Sequence, residues 1–256
     1  MKRERAYVDG RRNQILEILK ANPEVRVDQL AERLGVSLIT IRRDLQYLEE
    51  LKHLKRFYGG AKSIEPKVAV VDEVQKYRQL IARYAASMVE DGDSLFINTS
   101  SNALQMLQYI TCKNVTAITN NGKALRYEYG DDVSVILTGG ELRHPKEAMV
   151  GDFAIRNLQT VFAKKCFVGC SGLSPLTGMT TEIANEVNIN GLMIEHATQD
   201  VYILADHTKI GKNSSFTSCT IDKVQHLITD EKASEEILEQ MRAEGVQIHQ
   251  VHMNDY

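Results

Sequence analysis

Ser37, Thr40, Arg42 and Arg43 fall within the seven residues SLITIRR. Arginine makes paired hydrogen bonds to guanine edges in the major groove, and hydroxyls bond phosphate or base, so these types suit the reading of duplex DNA. To act together they must stand on one helix, off its buried stripe. Ile41, Leu45 and Leu48, at intervals of four and three, predict that helix, and Ser37 is placed to cap it. Before it, Leu30, Ala31 and Leu34 form the inner face of a short helix opened by Val27 and capped by Asp28, with Gly35 making a tight turn. A first helix runs from Arg11 through Ile15, Leu16, Ile18 and Leu19 and stops at Asn22-Pro23, because the residue before proline is pushed to extended geometry. Two helices joined by Gly35, Val36 and Ser37 match a helix-turn-helix with its reading helix. The following KHLKRFYGGAKSI predicts a hairpin wing whose Lys55, Arg56 and Lys62 rest on phosphates. Arg42 and Arg43 have another possible use, pairing with Asp44 or Glu49 along the helix, while Asp44 is expected to be structural.

A second set of polar residues follows short apolar runs further along. Thr119-Asn120-Asn121, Thr138-Gly139-Gly140, Gly169 to Gly172 and Asp206 to Lys212 each close such a run. Glycines let backbone amides approach an anion, Asn120 and Asn121 offer groups for hydroxyls, and Lys209 or Lys212 can neutralise phosphate. The combination predicts a site for a phosphorylated sugar. The alternative is that the glycines serve turns and the asparagines cap helices. The elements that must position these loops are runs at 94–97, 115–118, 133–137, 165–168, 201–205 and 226–228, with helical patterns between most of them. That alternation predicts an α/β domain with a largely parallel sheet and its ligand at the carboxyl ends of the strands. The expected organisation is a winged helix-turn-helix at 1–64, a connection at 65–76 containing Pro66, and the α/β domain at 77–256. The last opens with an amphipathic helix marked by Leu80, Ile81, Tyr84, Ala85 and Met88 that ends at Asp91-Gly92.

The chain has 256 residues, 43% of them apolar, enough for proper cores. It has neither a long apolar run nor the apolar core of a signal peptide after MKRERAYVDGRR, so a cytoplasmic protein with no membrane partner is expected. Four irregularly spaced cysteines, Cys112, Cys166, Cys170 and Cys219, read as reduced core thiols rather than a metal or disulfide framework. The net charge of −3 conceals a division: residues 1–64 hold 14 basic and 9 acidic side chains, and the remainder is acidic in balance. A basic head suits a polyanion. One winged helix-turn-helix covers few base pairs, so at least a homodimer is expected.

VDQLAERLGVSLITIRRDLQYLEE followed by YGGA, and then ITNN, LTGGELR, the glycines of GCSG and ADHTKIGK in that order, resemble the DeoR/GlpR family of bacterial sugar-metabolism regulators. The resemblance covers nearly the whole chain. It implies a double-stranded DNA operator, a repressor of carbohydrate genes, a dimer or tetramer, and an α/β sensor domain similar to sugar-phosphate isomerases that takes a phosphorylated sugar. It also implies a pocket role for Glu186, which matches an acidic position of the pattern. No cofactor, metal or catalytic activity is expected. Two departures stand out. The family's Asp-x-Gly-Thr-Thr is here Asn98-Thr99-Ser100-Ser101-Asn102, and a basic residue after the acidic position is replaced by Asn188 and Asn190. Asn98 removes a negative charge that would oppose phosphate, and Ser100 and Ser101 supply hydroxyls. The expected ligand set is therefore Asn98, Ser100, Ser101, Asn120, Asn121, Gly139, Gly140, Gly172, Glu186, Asp206 and Lys209. Two other readings compete: an isomerase-like enzyme using Asp206, Lys209 and Glu186 for proton transfer, and an effector-independent DNA-binding assembly protein.

Overall fold

The computed structural model describes residues 2–22, 24–50, 53–63 and 73–254 and divides the chain into two compact units, 1–70 and 71–256. In the first, α1 (Lys2–Ala21), α2 (Val27–Leu34) and α3 (Leu38–Glu50) enclose a core of Ile15, Leu19, Leu30, Ile41, Leu45 and Leu48. The three residues of the expected α3 stripe are thus all buried. The wing has one strand more than expected: β1 (Glu24–Arg26) pairs antiparallel with β3 (Gly60–Ser63), which pairs with β2 (Leu54–Phe57). A three-residue strand between a proline and a helix leaves too short a pattern to recognise. The α2 cap also differs. Arg26 precedes the helix and its backbone N–H donates to Gln29 Oε1 at 3.2 Å, while Asp28 lies in the first turn and accepts from the Gln29 N–H at 3.0 Å.

Asp44 fastens this unit. Its carboxylate is buried on α3 and accepts from Arg11 Nε at 2.6 Å and Arg12 Nε at 3.0 Å, both on α1. The Arg12 guanidinium also lies over the Tyr47 ring at 3.6 Å from its centroid. A charge with so little water must have such partners.

In the second unit α4 (Glu73–Ser87) begins inside the expected connection, so residues 73–76 are helical; the rest of that connection, up to 72, lies outside the described residues. The chain continues through β4 (Ser94–Ile97), α5 (Ser101–Gln105), β5 (Val115–Thr119), β6 (Val133–Leu137), the hairpin β7 (Glu141–Arg143) and β8 (Ala148–Val150), and α6 (Asp152–Leu158). Next come β9 (Ala163–Gly169), β10 (Gly172–Ser174), β11 (Gly178–Thr181), α7 (Ala184–Glu195), β12 (Ala197–Leu204), β13 (Phe216–Cys219), β14 (His226–Asp230), α8 (Glu235–Ala243) and β15 (Gln247–Val251). Seven strands form a parallel sheet in the order β15-β14-β12-β9-β4-β5-β6. Strand residues alternate between its faces. Leu95, Ile97, Phe167 and Leu204 pack with α4 and α5, and Phe96, Val168, Ile203 and Leu227 pack with α6, α7 and α8. The polar edge strand β15 was not anticipated, because Gln247, His249 and Gln250 interrupt its apolar pattern. A small antiparallel sheet, β10-β11-β13, stands beside the main one.

The order reverses between β4 and β9: β5 and β6 extend one way from the first strand, and β9, β12, β14 and β15 the other. Loops leaving the carboxyl ends of β4 and β9 diverge there and open a crevice. Among the described residues no helix is long and apolar enough to cross a membrane.

Replacing Asp44 by Ala leaves two arginines with a lost partner in the core of the first unit. It is expected to cost that unit about 3 kcal/mol, read by calorimetry as a lowered transition for the amino-terminal unit with the second transition unmoved.

Candidate functional site

On the first unit, Ser37 caps α3, its Oγ accepting from the Thr40 N–H at 3.2 Å and lying 2.9 Å from Thr40 Oγ1. The next turn carries Arg42 and Arg43, both exposed. Neither pairs with Asp44 or Glu49, since Asp44 holds Arg11 and Arg12, and Glu49 accepts from Arg56 Nε at 2.7 Å and from its backbone N–H at 2.8 Å. Arg42 and Arg43 make no hydrogen bond or ion pair among the described residues, which leaves their donors to an outside partner, and the competing intrahelical reading is withdrawn. Arg56 has a second use. Its Nε donates to Glu49, whose carboxyl is held below its usual value by those backbone and side-chain hydrogen bonds, so Arg56 joins wing to helix while its side chain stays 40% exposed.

Lys55 and Lys62 are direct cross-strand partners on β2 and β3, and Glu24 stands opposite Lys62 on the other side. Two lysines face to face repel, a strain that a polyanion relieves. Sequence reasoning missed three exposed side chains: Leu38 and Ile39 in the first turn of α3, and Tyr58 at the wing tip, fully open to solvent. Ile39, 71% exposed, lies off the stripe of Ile41, Leu45 and Leu48, which was the available signal. Apolar groups at that end of a reading helix suit thymine methyls.

On the second unit the crevice between β4 and β9 holds a cavity of about 350 Å³. Its walls come from the β4–α5 loop, the end of β9, the segment after β12, the start of α7, the first turns of α4 and the tip of the β7–β8 hairpin. Of the expected set, Asn98, Ser100, Ser101, Glu186, Asp206 and Lys209 line it. Asn120, Asn121, Gly139, Gly140 and Gly172 do not, because they end β5 and β6, beyond the reversal, or lie in the small sheet. Asn120 Nδ2 donates to the Met149 carbonyl at 3.2 Å, and Asn121 Oδ1 accepts from the Lys123 N–H at 3.1 Å, so both amides hold backbone. Gly139 and Gly140 turn the chain at φ +69° and +109°, and a Cβ on Gly140 would stand 2.6 Å from the Val150 carbonyl. Gly172 lets the Lys212 carbonyl approach where a side chain would block it. The glycines thus serve turns and close approaches outside the cavity, while Asn120 Oδ1 and Asn121 Nδ2, the other ends of the two amides, are buried without a partner among the described residues.

Two buried carboxylates dominate the cavity. Glu186 accepts from Thr99 Oγ1 at 3.0 Å, Thr181 Oγ1 at 2.8 Å and Lys146 Nζ at 3.3 Å to each oxygen. Asp206 accepts from Arg78 Nε at 2.8 Å, from the Thr208 N–H at 3.0 Å and from Thr208 Oγ1. Burial raises the Asp206 carboxyl, but the hydrogen bonds of Thr208 and Arg78 outweigh it and hold it below the usual carboxylate range. Burial also pushes the Cys170 thiol in the wall up to about 12, with Lys209 opposing, which leaves it a protonated, unreactive group. Lys209 is half-buried and makes no ion pair among the described residues.

Asn98 needs a further correction. Its Nδ2 donates to the Gly169 carbonyl at 2.9 Å and to Asn190 Oδ1 at 3.0 Å, and its Oδ1 accepts from the N–H groups of Ser100 and Gly169 at 3.1 and 3.0 Å. Every group of that amide is used in joining the β4 loop to β9 and α7, so it shapes the wall without offering a free donor. Asn102, by contrast, lines the cavity with a buried Oδ1 that has no partner among the described residues. Lys146, Arg78 and Asn102 were missed as lining residues: Asn102 closes the Asn98 loop but was not counted among its ligands, and Lys146 and Arg78 belong to no motif. No group of three or more potential metal ligands occurs among the described residues, and all four cysteines are free.

A winged helix-turn-helix with free reading groups, carried by a chain whose second unit holds a polar cavity at a sheet reversal, defines a DNA-binding regulator. Two family models agree: a DeoR-like helix-turn-helix domain matches residues 11–67, and a DeoR C terminal sensor domain matches residues 73–231. The chain belongs to the DeoR family of helix-turn-helix transcriptional regulators. It is 31% identical to the HTH-type transcriptional regulator YulB of Bacillus subtilis over 87% of this chain and 89% of that one. It is 29% identical to the lactose phosphotransferase system repressor of Staphylococcus aureus over 89% and 94% of the two. Among solved structures, ribose 5 phosphate isomerase A from Neisseria gonorrhoeae matches at 14% identity and a TM-score of 0.38, covering 54% of this chain and 53% of that one.

Replacing Arg42 or Arg43 by Ala is expected to cost roughly 1 to 3 kcal/mol of operator affinity and to relax preference at one base pair. Replacing Lys62 should weaken all sequences alike and reduce the salt dependence by about one counterion. Both are read from binding isotherms on operator and scrambled duplexes across a salt series. An Arg42 and Arg43 double variant with unchanged sequence preference would remove α3 as the reading helix.

Proposed function

We propose that this chain represses genes of carbohydrate metabolism from a double-stranded operator as a homodimer or tetramer, and that a phosphorylated sugar in the cavity between β4 and β9 changes its operator affinity. The observation that carries the effector reading is Lys209, half-buried in the wall and without an ion pair among the described residues, in a cavity also lined by Ser101, by Ser100, whose oxygen caps α5, and by Asn102, whose buried Oδ1 has no partner among the described residues. A cation in one cavity with hydroxyl and amide groups matches a ligand with a phosphate at one end and alcohols at the other. The name of the lactose phosphotransferase system repressor supports a sugar pathway. The enzyme reading is less well supported, because Glu186 and Asp206 both accept hydrogen bonds and ion pairs from the protein that a proton-transfer group must first give up.

Calorimetry with phosphorylated sugars, their unphosphorylated forms and inorganic phosphate tests the effector reading. Binding should favour the phosphorylated forms, and Lys209→Ala should lose both binding and the ligand-induced change in operator affinity. If no phosphorylated compound binds, or Lys209→Ala binds as tightly as the parent, the phosphosugar assignment fails. Light scattering of the full chain at micromolar concentration should give the mass of a dimer or larger, and a monomer would remove the paired half-site arrangement.

A further inference from the structure

Three cationic side chains line the cavity, Arg78, Lys146 and Lys209, and they are not equivalent. Arg78 gives its Nε to Asp206, which is 2% exposed, at the short distance of 2.8 Å. Lys209 has no ion pair among the described residues. Lys146, at the tip of the β7–β8 hairpin, lies 3.3 Å from both oxygens of Glu186, a long and divided contact, and its side chain is 42% exposed. A phosphate monoester carries a charge of about −2 at neutral pH. One lysine does not neutralise it.

We propose that Lys146 is the second anion-binding cation of the cavity, held by Glu186 when the site is empty and shared with the ligand when it is full. This rests on the phosphosugar reading above and adds to it the residue that selects a dianion. Three features make the exchange possible. An ammonium has three donors, and two stretched contacts to one carboxylate leave it able to turn toward a stronger acceptor. Glu186 keeps its hydrogen bonds from Thr99 and Thr181 at 3.0 and 2.8 Å, so lending Lys146 to the ligand does not strand the carboxylate. The neighbouring Glu147 is anchored through its side chain to Arg126 and through its carbonyl to the Gly122 N–H at 2.8 Å, so the Lys146 side chain moves from a fixed backbone. In this arrangement Glu186 competes with the ligand for Lys146. Its charge opposes anion binding.

That competition separates the proposal from a simple structural tie by the sign of two effects. Isothermal titration of the full chain with inorganic phosphate, ribose 5-phosphate, glucose 6-phosphate and fructose 6-phosphate should show Lys146→Met weakening every phosphate that the parent binds by about tenfold, with unphosphorylated sugars unaffected. Glu186→Gln, which keeps an oxygen for one of the two threonines, offers an amide N–H to the hydroxyl oxygen of the other and removes the competing charge, should bind inorganic phosphate more tightly than the parent. The double variant, with neither charge left unpaired, controls for folding and should still bind more weakly than the parent. Lys146→Met and the double variant both binding like the parent overturns the proposal, as does Glu186→Gln weakening inorganic phosphate. A parent that binds none of the four compounds overturns the phosphosugar reading itself, and Lys146 with it.

Discussion

Glu186 and Asp206 are 3% and 2% exposed, yet both line a cavity at the ends of the central strands. A carboxylate removed from water must be matched by hydrogen bonds or cations, because the alternative costs several kcal/mol. Much of the second unit is arranged around that demand. Arg78 comes from α4, packed on one face of the sheet; Lys146 comes from the β7–β8 hairpin, reached after β6; Thr99 and Thr181 come from the β4 loop and the end of β11. Elements distant in the chain are thereby held around one opening. Two of the cations that line the cavity, Arg78 and Lys146, thus each contact one of these acids, while Lys209 makes no ion pair among the described residues.

The amino-terminal unit was legible almost to the residue because its signals are local. Three stripe residues, a cap and a turn glycine place α3 without reference to the rest of the chain, and the outward positions of Arg42 and Arg43 follow from helix geometry. Sequence spacing could not say which arginines are spent. Asp44 lies one position from Arg43 yet binds Arg11 and Arg12, 33 and 32 residues away, and Arg56 is taken by Glu49 across the α3–wing junction. Both outcomes depend on packing between helices, which no (i, i+4) rule anticipates.

In the second unit the parallel sheet was legible from its buried runs, and the site only in part. Four polar motifs end strands at the carboxyl side, and all four were expected to converge. Convergence, however, depends on strand order. The reversal lies between β4 and β9, so the loops after β4, β9 and β12 meet there, and those after β5 and β6 are carried away from it. Asn120, Asn121, Gly139 and Gly140 are of suitable types at strand ends, yet they are on the wrong strands. Lys146 has the opposite history: an ordinary lysine in HPKE, given a role only by the hairpin that returns its tip to α7.

The unusual β4 loop acquires a physical reading from the same considerations. Asn98 and, on α7, Asn190 bond each other through their amides at 3.0 Å inside the protein. Neither is left wanting: Asn98 uses both ends of its amide, and Asn190 passes its own donor to Ser218 at 3.2 Å. A satisfied neutral pair makes the connection between loop, strand and helix without the desolvation cost of two buried charges. It also places no fixed charge in that part of the cavity wall. The cations of the lining stand elsewhere: Arg78 on α4 and Lys146 on the β7–β8 hairpin contact the buried carboxylates, and Lys209, after β12, makes no ion pair among the described residues. With the joint between β4, β9 and α7 neutral, the positive charge of the cavity comes from side chains that enter it from three other elements.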